Sequence, residues 1–173
     1  MSETIPFVAI LMGSESDLPT LQGAVDVLDS LHIPCEVRVR SAHRTPDQTR
    51  EYVADAEARG CAVFIAAAGM AAHLAGAIAA QTTKPVIGIP IDAGPLKGID
   101  ALLSTAQMPA GIPVATVAIG KAGAKNAGYL AAQILAISSP ALAARLREDR
   151  SENARSVLAR DEALQRRLGE RAN

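Results

Sequence analysis

The 173-residue sequence contains no tryptophan, two phenylalanines and two tyrosines, so it lacks the set of rings on which several bases stack. It has no excess of positive charge either. Lys and Arg total 17 against 18 Asp and Glu, a formal net charge of -1, which removes the basic field of a nucleic-acid binder. Two cysteines, Cys35 and Cys61, are too few for a disulfide framework or a zinc site of their own. No uncharged apolar run approaches the ~20 residues of a membrane span, and the N-terminal stretch lacks the basic start and cleavage site of a secretory signal. What is there is 49% hydrophobic and 20% charged, the balance of a folded domain. The expectation is a soluble, cytoplasmic chain of essentially one domain, with neither nucleic acid nor membrane as partner.

Short apolar runs alternate with helical patterns throughout. Ile5 to Met12 reads as a buried parallel strand that stops at Gly13. Asp17 is placed to N-cap a helix with Leu18, Leu21, Val25, Leu28 and Leu31 on its apolar face. His32 follows at the end of that helix. Cys35, Val37 and Val39 alternate with Glu36, Arg38 and Arg40, as in a strand with one wetter face. Thr45 as N-cap and Pro46 in the first turn open a helix that ends near Gly60. Further strands are expected at Cys61 to Ala67, Pro85 to Pro90 and Ile112 to Ile119, and helices at about 71–81, 98–105 and 122–137. Five β-then-α units predict an α/β fold, a three-layer α/β/α sandwich on a flavodoxin-like parallel sheet. The domain is expected to span 1–150, with 151–173 a charged helical tail. Residues 140–173 hold eight Arg and six Asp or Glu with sparse leucines, which suggests solvated helix.

Ligands of an open parallel sheet bind outside the carboxyl ends of its strands, and the unusual residues of this sequence collect there. The first loop, Gly13 to Asp17, offers the hydroxyls of Ser14 and Ser16 and free backbone N–H groups at a helix N-terminus, a ready anion site. It has neither the lysine of a P-loop nor the glycines of a dinucleotide fingerprint. The second, Ser41 to Pro46, sets Arg44, whose planar fork suits a phosphate, beside His43. An imidazole moves protons at neutral pH. The third joins Gly69 to a helix of small residues, with His73 in its first turn. His43 and His73 converge without an obvious third ligand, so no metal is expected. Cys35 and Cys61 begin apolar strands and should be buried and inert.

Four strings, MGSESD at 12–17, SAHRTP at 41–46, AAHLAG at 71–76 and QMPAGIPVATVAIG at 107–120, fall in order at these loops. Together they resemble the class I N5-carboxyaminoimidazole ribonucleotide mutases of de novo purine biosynthesis, over about residues 5–148. The resemblance implies rearrangement of N5-carboxyaminoimidazole ribonucleotide to 4-carboxy-5-aminoimidazole ribonucleotide without metal, ATP or organic cofactor. It implies that Ser14, Ser41 and Arg44 hold the 5′-phosphate, with Ser16 beside them. It gives Asp17 the ribose hydroxyls and His43 the role of general acid/base. Gly69, Ala72, His73 and Leu74 would line a pocket for CO2, and the assembly would be a homo-octamer. Class II relatives, which carboxylate aminoimidazole ribonucleotide directly, typically carry Lys where Arg44 stands. Two positions depart from the class I pattern: many members have Gly in place of Met70 and Pro in place of Ala75.

Overall fold

A computed structural model describes residues 6–171; Ile5, the first residue expected in a strand, lies outside them. Five strands, β1 (Phe7–Met12), β2 (Cys35–Val39), β3 (Cys61–Gly69), β4 (Val86–Ile91) and β5 (Ala115–Thr116), form one sheet in the order β2-β1-β3-β4-β5. Every pairing is parallel. Between and after them run α1 (Leu18–Ser30), α2 (Pro46–Ala58), α3 (Leu74–Ala79), α4 (Ile99–Ala106), α5 (Gly120–Ala136) and α6 (Pro140–Arg171). This is the flavodoxin-like α/β arrangement that the sequence predicts.

All six residues of β1 are buried, as a central parallel strand requires. Phe7, Ala9 and Leu11 share one core with Tyr52, Val53 and Ala56 of α2 and with Leu74 and Ile78 of α3. Strand alternation turns Val8, Ile10 and Met12 to the opposite face, and all three are buried there. Helices α1 and α5 lie against each other closely enough that a Cβ on Gly128 would stand 3.0 Å from the Ala24 carbonyl oxygen. Each large aliphatic side chain buried in this way contributes about 1.5–3 kcal/mol.

The structure corrects several local expectations. The buried face of α1 is Leu21, Ala24, Val27 and Leu28, and Val25 is only half-buried at the edge of that stripe. Asp17 makes no side-chain cap; one reason is that Pro19, in the first turn, has no N–H to donate. The cap is Ser14 instead, on the 3-10 turn Glu15–Asp17. Thr45 makes no side-chain cap either, because its hydroxyl turns back to Ser41, accepting the Ser41 N–H at 2.9 Å and donating to the Ser41 carbonyl at 3.1 Å. Cys35 is half-buried, since β2 is an edge strand. The strand expected at 112–119 shrinks to Ala115–Thr116: Pro113 has no N–H for the ladder before it, and after it, among the described residues, only the Val117 N–H reaches β4, at the Gly88 carbonyl, 3.1 Å. Helix α3 begins at Leu74 rather than 71, after a turn that contains a left-handed Met70.

The chain divides into two compact units, one up to Leu135 and one from Ala136. The second contains α6, a single 32-residue helix whose residues 151–169 are all exposed. Among the described residues no helix is long and apolar enough to cross a membrane.

Candidate active site

The order β2-β1-β3 means that the chain leaves β1 in one direction and continues from β3 in the other. A crevice opens at the carboxyl ends of strands where the order reverses in this way. The loops after β1, β2 and β3 meet there.

Loop one is fixed to the sheet by Gly13, whose N–H donates to the Ala67 carbonyl at 3.2 Å. The Ser14 hydroxyl oxygen accepts from the Ser16 N–H at 3.3 Å and from the Ser16 hydroxyl at 2.8 Å. Asp17 is half-buried at the end of this turn. Burial pushes its carboxyl above the ordinary aspartate range, and a hydrogen bond from the Ser14 backbone pulls it partly back. Loop two folds over loop one. The Arg44 N–H donates to Ser41 Oγ at 3.2 Å, and Arg44 Nη2 reaches across to the Gly13 carbonyl at 2.9 Å. A guanidinium has five N–H donors in a rigid fork, so this tether orients the group and leaves donors for an anion. Arg44 and His43 are exposed, Ser41 half-buried.

Loop three brings His73 against His43. His43 Nε2 lies 2.8 Å from His73 Nδ1, and the rings meet edge to face at 85°, centroids 4.9 Å apart. Two facing imidazole nitrogens at that distance share one proton. If His43 donates, its outward Nδ1 is bare and His73 carries its proton on the outward Nε2; if His73 donates, the two ends exchange roles. The neutral pair therefore always offers one outward base and one outward acid.

Ala72 and Leu74 are buried at 1% and 2% exposure, so their side chains support this turn from beneath, whereas His73 faces out. At Gly69 a Cβ would come within 2.8 Å of the Ala93 side chain, which explains the absence of a side chain where β3 meets the next turn. His32, exposed and left-handed at the end of α1, is not at this edge. Burial pushes the Cys61 thiol up to about 11, and burial together with the Asp29 charge raises that of Cys35; both remain protonated and poorly nucleophilic. No three His, Cys, Asp or Glu side chains converge among the described residues. A groove of about 480 Å³ lies between α2 and α3, lined by Ala42 and Pro46 but by neither histidine. His43, Arg44 and His73 are all exposed at the strand ends.

The direct bond between the histidines is what sequence reading misses, since 30 residues separate them. The available signal is topological. β2 and β3 both flank β1, about 9–10 Å apart at two strand spacings, so loops leaning inward over the end of β1 come into contact.

A family model described as AIR carboxylase matches residues 7–156. The N5-carboxyaminoimidazole ribonucleotide mutase of Bacillus subtilis is 54% identical over 159 residues, 92% of this chain and 98% of the relative. The protein of the same name from Synechocystis is 49% identical over 172 residues, 99% of this chain and 96% of the relative. Among solved structures, Treponema denticola PurE superposes with a TM-score of 0.83 at 29% identity, covering 92% of this chain and 98% of that one. With the switch-point crevice, its three loops and a match across most of its length, the chain belongs to the AIR carboxylase family.

Proposed function

We propose that this chain is an N5-carboxyaminoimidazole ribonucleotide mutase of purine biosynthesis, acting in the cytoplasm on a small phosphoribosyl substrate. The observation that carries the reading is the His43–His73 hydrogen bond beside an Arg44 fork already tethered to Gly13. In a chain about half identical to proteins named for this reaction, that arrangement supplies what the chemistry needs.

Arg44, Ser14 and Ser41 hold the 5′-phosphate, with Ser16 and loop N–H groups completing the cradle. Asp17 accepts hydrogen bonds from the ribose hydroxyls. The bound carbamate breaks its N–C bond, releasing CO2, and the nitrogen takes up a proton from the outward N–H of the histidine pair, which the C4 proton later restores, to leave aminoimidazole ribonucleotide. C4 of that enamine then attacks the trapped CO2, and confinement supplies effective molarities of ~10⁵ M or more. The adduct carries a proton on tetrahedral C4. His43 removes it to restore the aromatic ring, its partner bond with His73 leaving one outward nitrogen bare for the purpose. Gly69, Ala72, His73 and Leu74 form the wall where CO2 waits, Ala72 and Leu74 by shaping the turn. Atoms and charges balance with no metal, ATP or organic cofactor.

Trapping CO2 requires a cover over His43 and His73, which are both exposed in this chain. This supports a homo-octamer in which neighbouring copies close the site. The catalytic domain is taken as 1–150 with 151–173 as an appended tail, in keeping with a family match that ends at 156.

Incubating the protein with freshly made carbamate, and separately with aminoimidazole ribonucleotide and low bicarbonate, tests the reading. C4 carboxylation from the carbamate is expected. Efficient turnover of the second mixture alone would make the chain a direct carboxylase, and silence in both would end the enzymatic reading.

A further inference from the structure

Two left-handed residues on neighbouring turns meet at the rim of this site. Met70, φ 53°, follows β3, and Gly94, φ 74°, belongs to the turn 92–98 that follows β4. A methionine seldom adopts that conformation, because its Cβ crowds the following carbonyl, so its surroundings must hold it there. Its side chain lies over Gly94: a Cβ on that glycine would stand 3.3 Å from Met70 Cγ and 3.5 Å from Sδ. Its carbonyl faces Ser104 Oγ of α4 at 3.5 Å. One residue earlier, the close approach of Gly69 to Ala93 presses the same two turns together.

The turn is packed at its ends, where a Cβ on Gly98 would stand 2.6 Å from Ile119 Cγ2 and one on Gly120 3.5 Å from Asp92 Oδ1, but its middle is exposed. Gly94, Lys97 and Gly98 are all left-handed, Pro95, Leu96 and Lys97 are exposed, and the Lys97 N–H to Gly94 carbonyl bond is long at 3.3 Å. Yet Met70 is 56% exposed, which is not how a core residue sits. Its value lies in the contact it makes across the two turns.

We propose that Met70 is a positioning residue that fastens the turn 92–98 to the turn carrying His73, fixing the entrance of the site on its β4 side. The kinetic part of this rests on the mutase reading. Met70→Gly is the informative variant, because glycine adopts a positive φ without strain; the thermal midpoint should hold or rise, showing an intact fold. Amide exchange at Gly94, Leu96 and Lys97 should then accelerate about tenfold as the turn opens locally. KM for the carbamate should rise about threefold or more while kcat stays within about twofold, the signature of a loosened entrance rather than damaged chemistry. Met70→Leu, which keeps the bulk over Gly94, should restore both. Exchange and KM equal to those of the unaltered protein in Met70→Gly would overturn the proposal. If the unaltered protein does not turn over the carbamate, the mutase reading falls, and the exchange comparison by itself still decides whether Met70 holds the turn.

Discussion

His43 and Arg44 are neighbours in the chain, and the proposed mechanism gives them separable tasks. In His43→Asn the amide can still donate to His73 Nδ1 but cannot accept the C4 proton. Turnover should fall about 10²–10⁴-fold with substrate affinity within a few-fold, as read by steady-state rates and ligand titration; substantial residual turnover would remove His43 from the acid/base role. Arg44→Ala deletes charged hydrogen bonds worth about 1.5–3 kcal/mol, so calorimetry should find Kd raised by about ten- to a hundredfold, and unchanged affinity would refute the phosphate clamp. Asp17 carries a pH signature. Burial raises its carboxyl above the ordinary 3.8, so protonation favours the folded state. The stability linked to this group is complete below the ordinary value and is lost as pH rises through the raised one. Asp17→Asn keeps the shape without the charge. It should melt higher than the unaltered protein at pH 7, with the difference vanishing below about pH 3, while ribose binding weakens. Equal midpoints at pH 7 would count against a buried, charged Asp17.

Gly88 shows how tightly the elements fit. A Cβ there would lie 2.3 Å from Thr105 Cγ2 and 2.9 Å from Val114 Cγ1, so β4 approaches α4 as closely as it does only because that position lacks a side chain. Thr105 is buried and its hydroxyl is bonded to the Ala101 carbonyl at 2.7 Å, which leaves it little room to yield. Gly88→Ala should therefore cost about 1–3 kcal/mol or more by overpacking, visible as a lower urea midpoint. Elements of this kind were legible in the sequence to the extent that one residue type decides them. An unbroken apolar run fixes β1, and its burial on both faces follows. β5 is illegible because its apolar run is equally continuous, while only Ala115 and Thr116 form strand, after Pro113, which has no N–H for the ladder. The caps misled for another reason: Ser14, Asp17 and Thr45 carry interchangeable acceptors, and only the folded turn decides which oxygen meets which N–H. In the site, the three loops could be read from strand ends, whereas the His43–His73 bond depends on strand order that no local pattern states.

At the scale of the molecule, His43, Arg44 and His73 are exposed, so the mutase reading implies closure by other copies. Light scattering should find the mass of eight chains of 17.9 kDa each, and a fully active single chain would contradict that closure. With the loops tied to adjacent strands of one sheet, the proposed phosphate clamp and proton-transfer pair are set in position before substrate arrives. The proton between His43 and His73 amounts to one bit of information: it records which outward nitrogen is bare. Writing that bit moves the shared hydrogen across a 2.8 Å gap while one outward nitrogen takes up a proton and the other gives one up, with the heavy atoms in place. Forward and reverse turnover then begin from the same heavy-atom arrangement, and the direction of net flux is left to the concentrations of the two carboxylated ribonucleotides rather than to the protein.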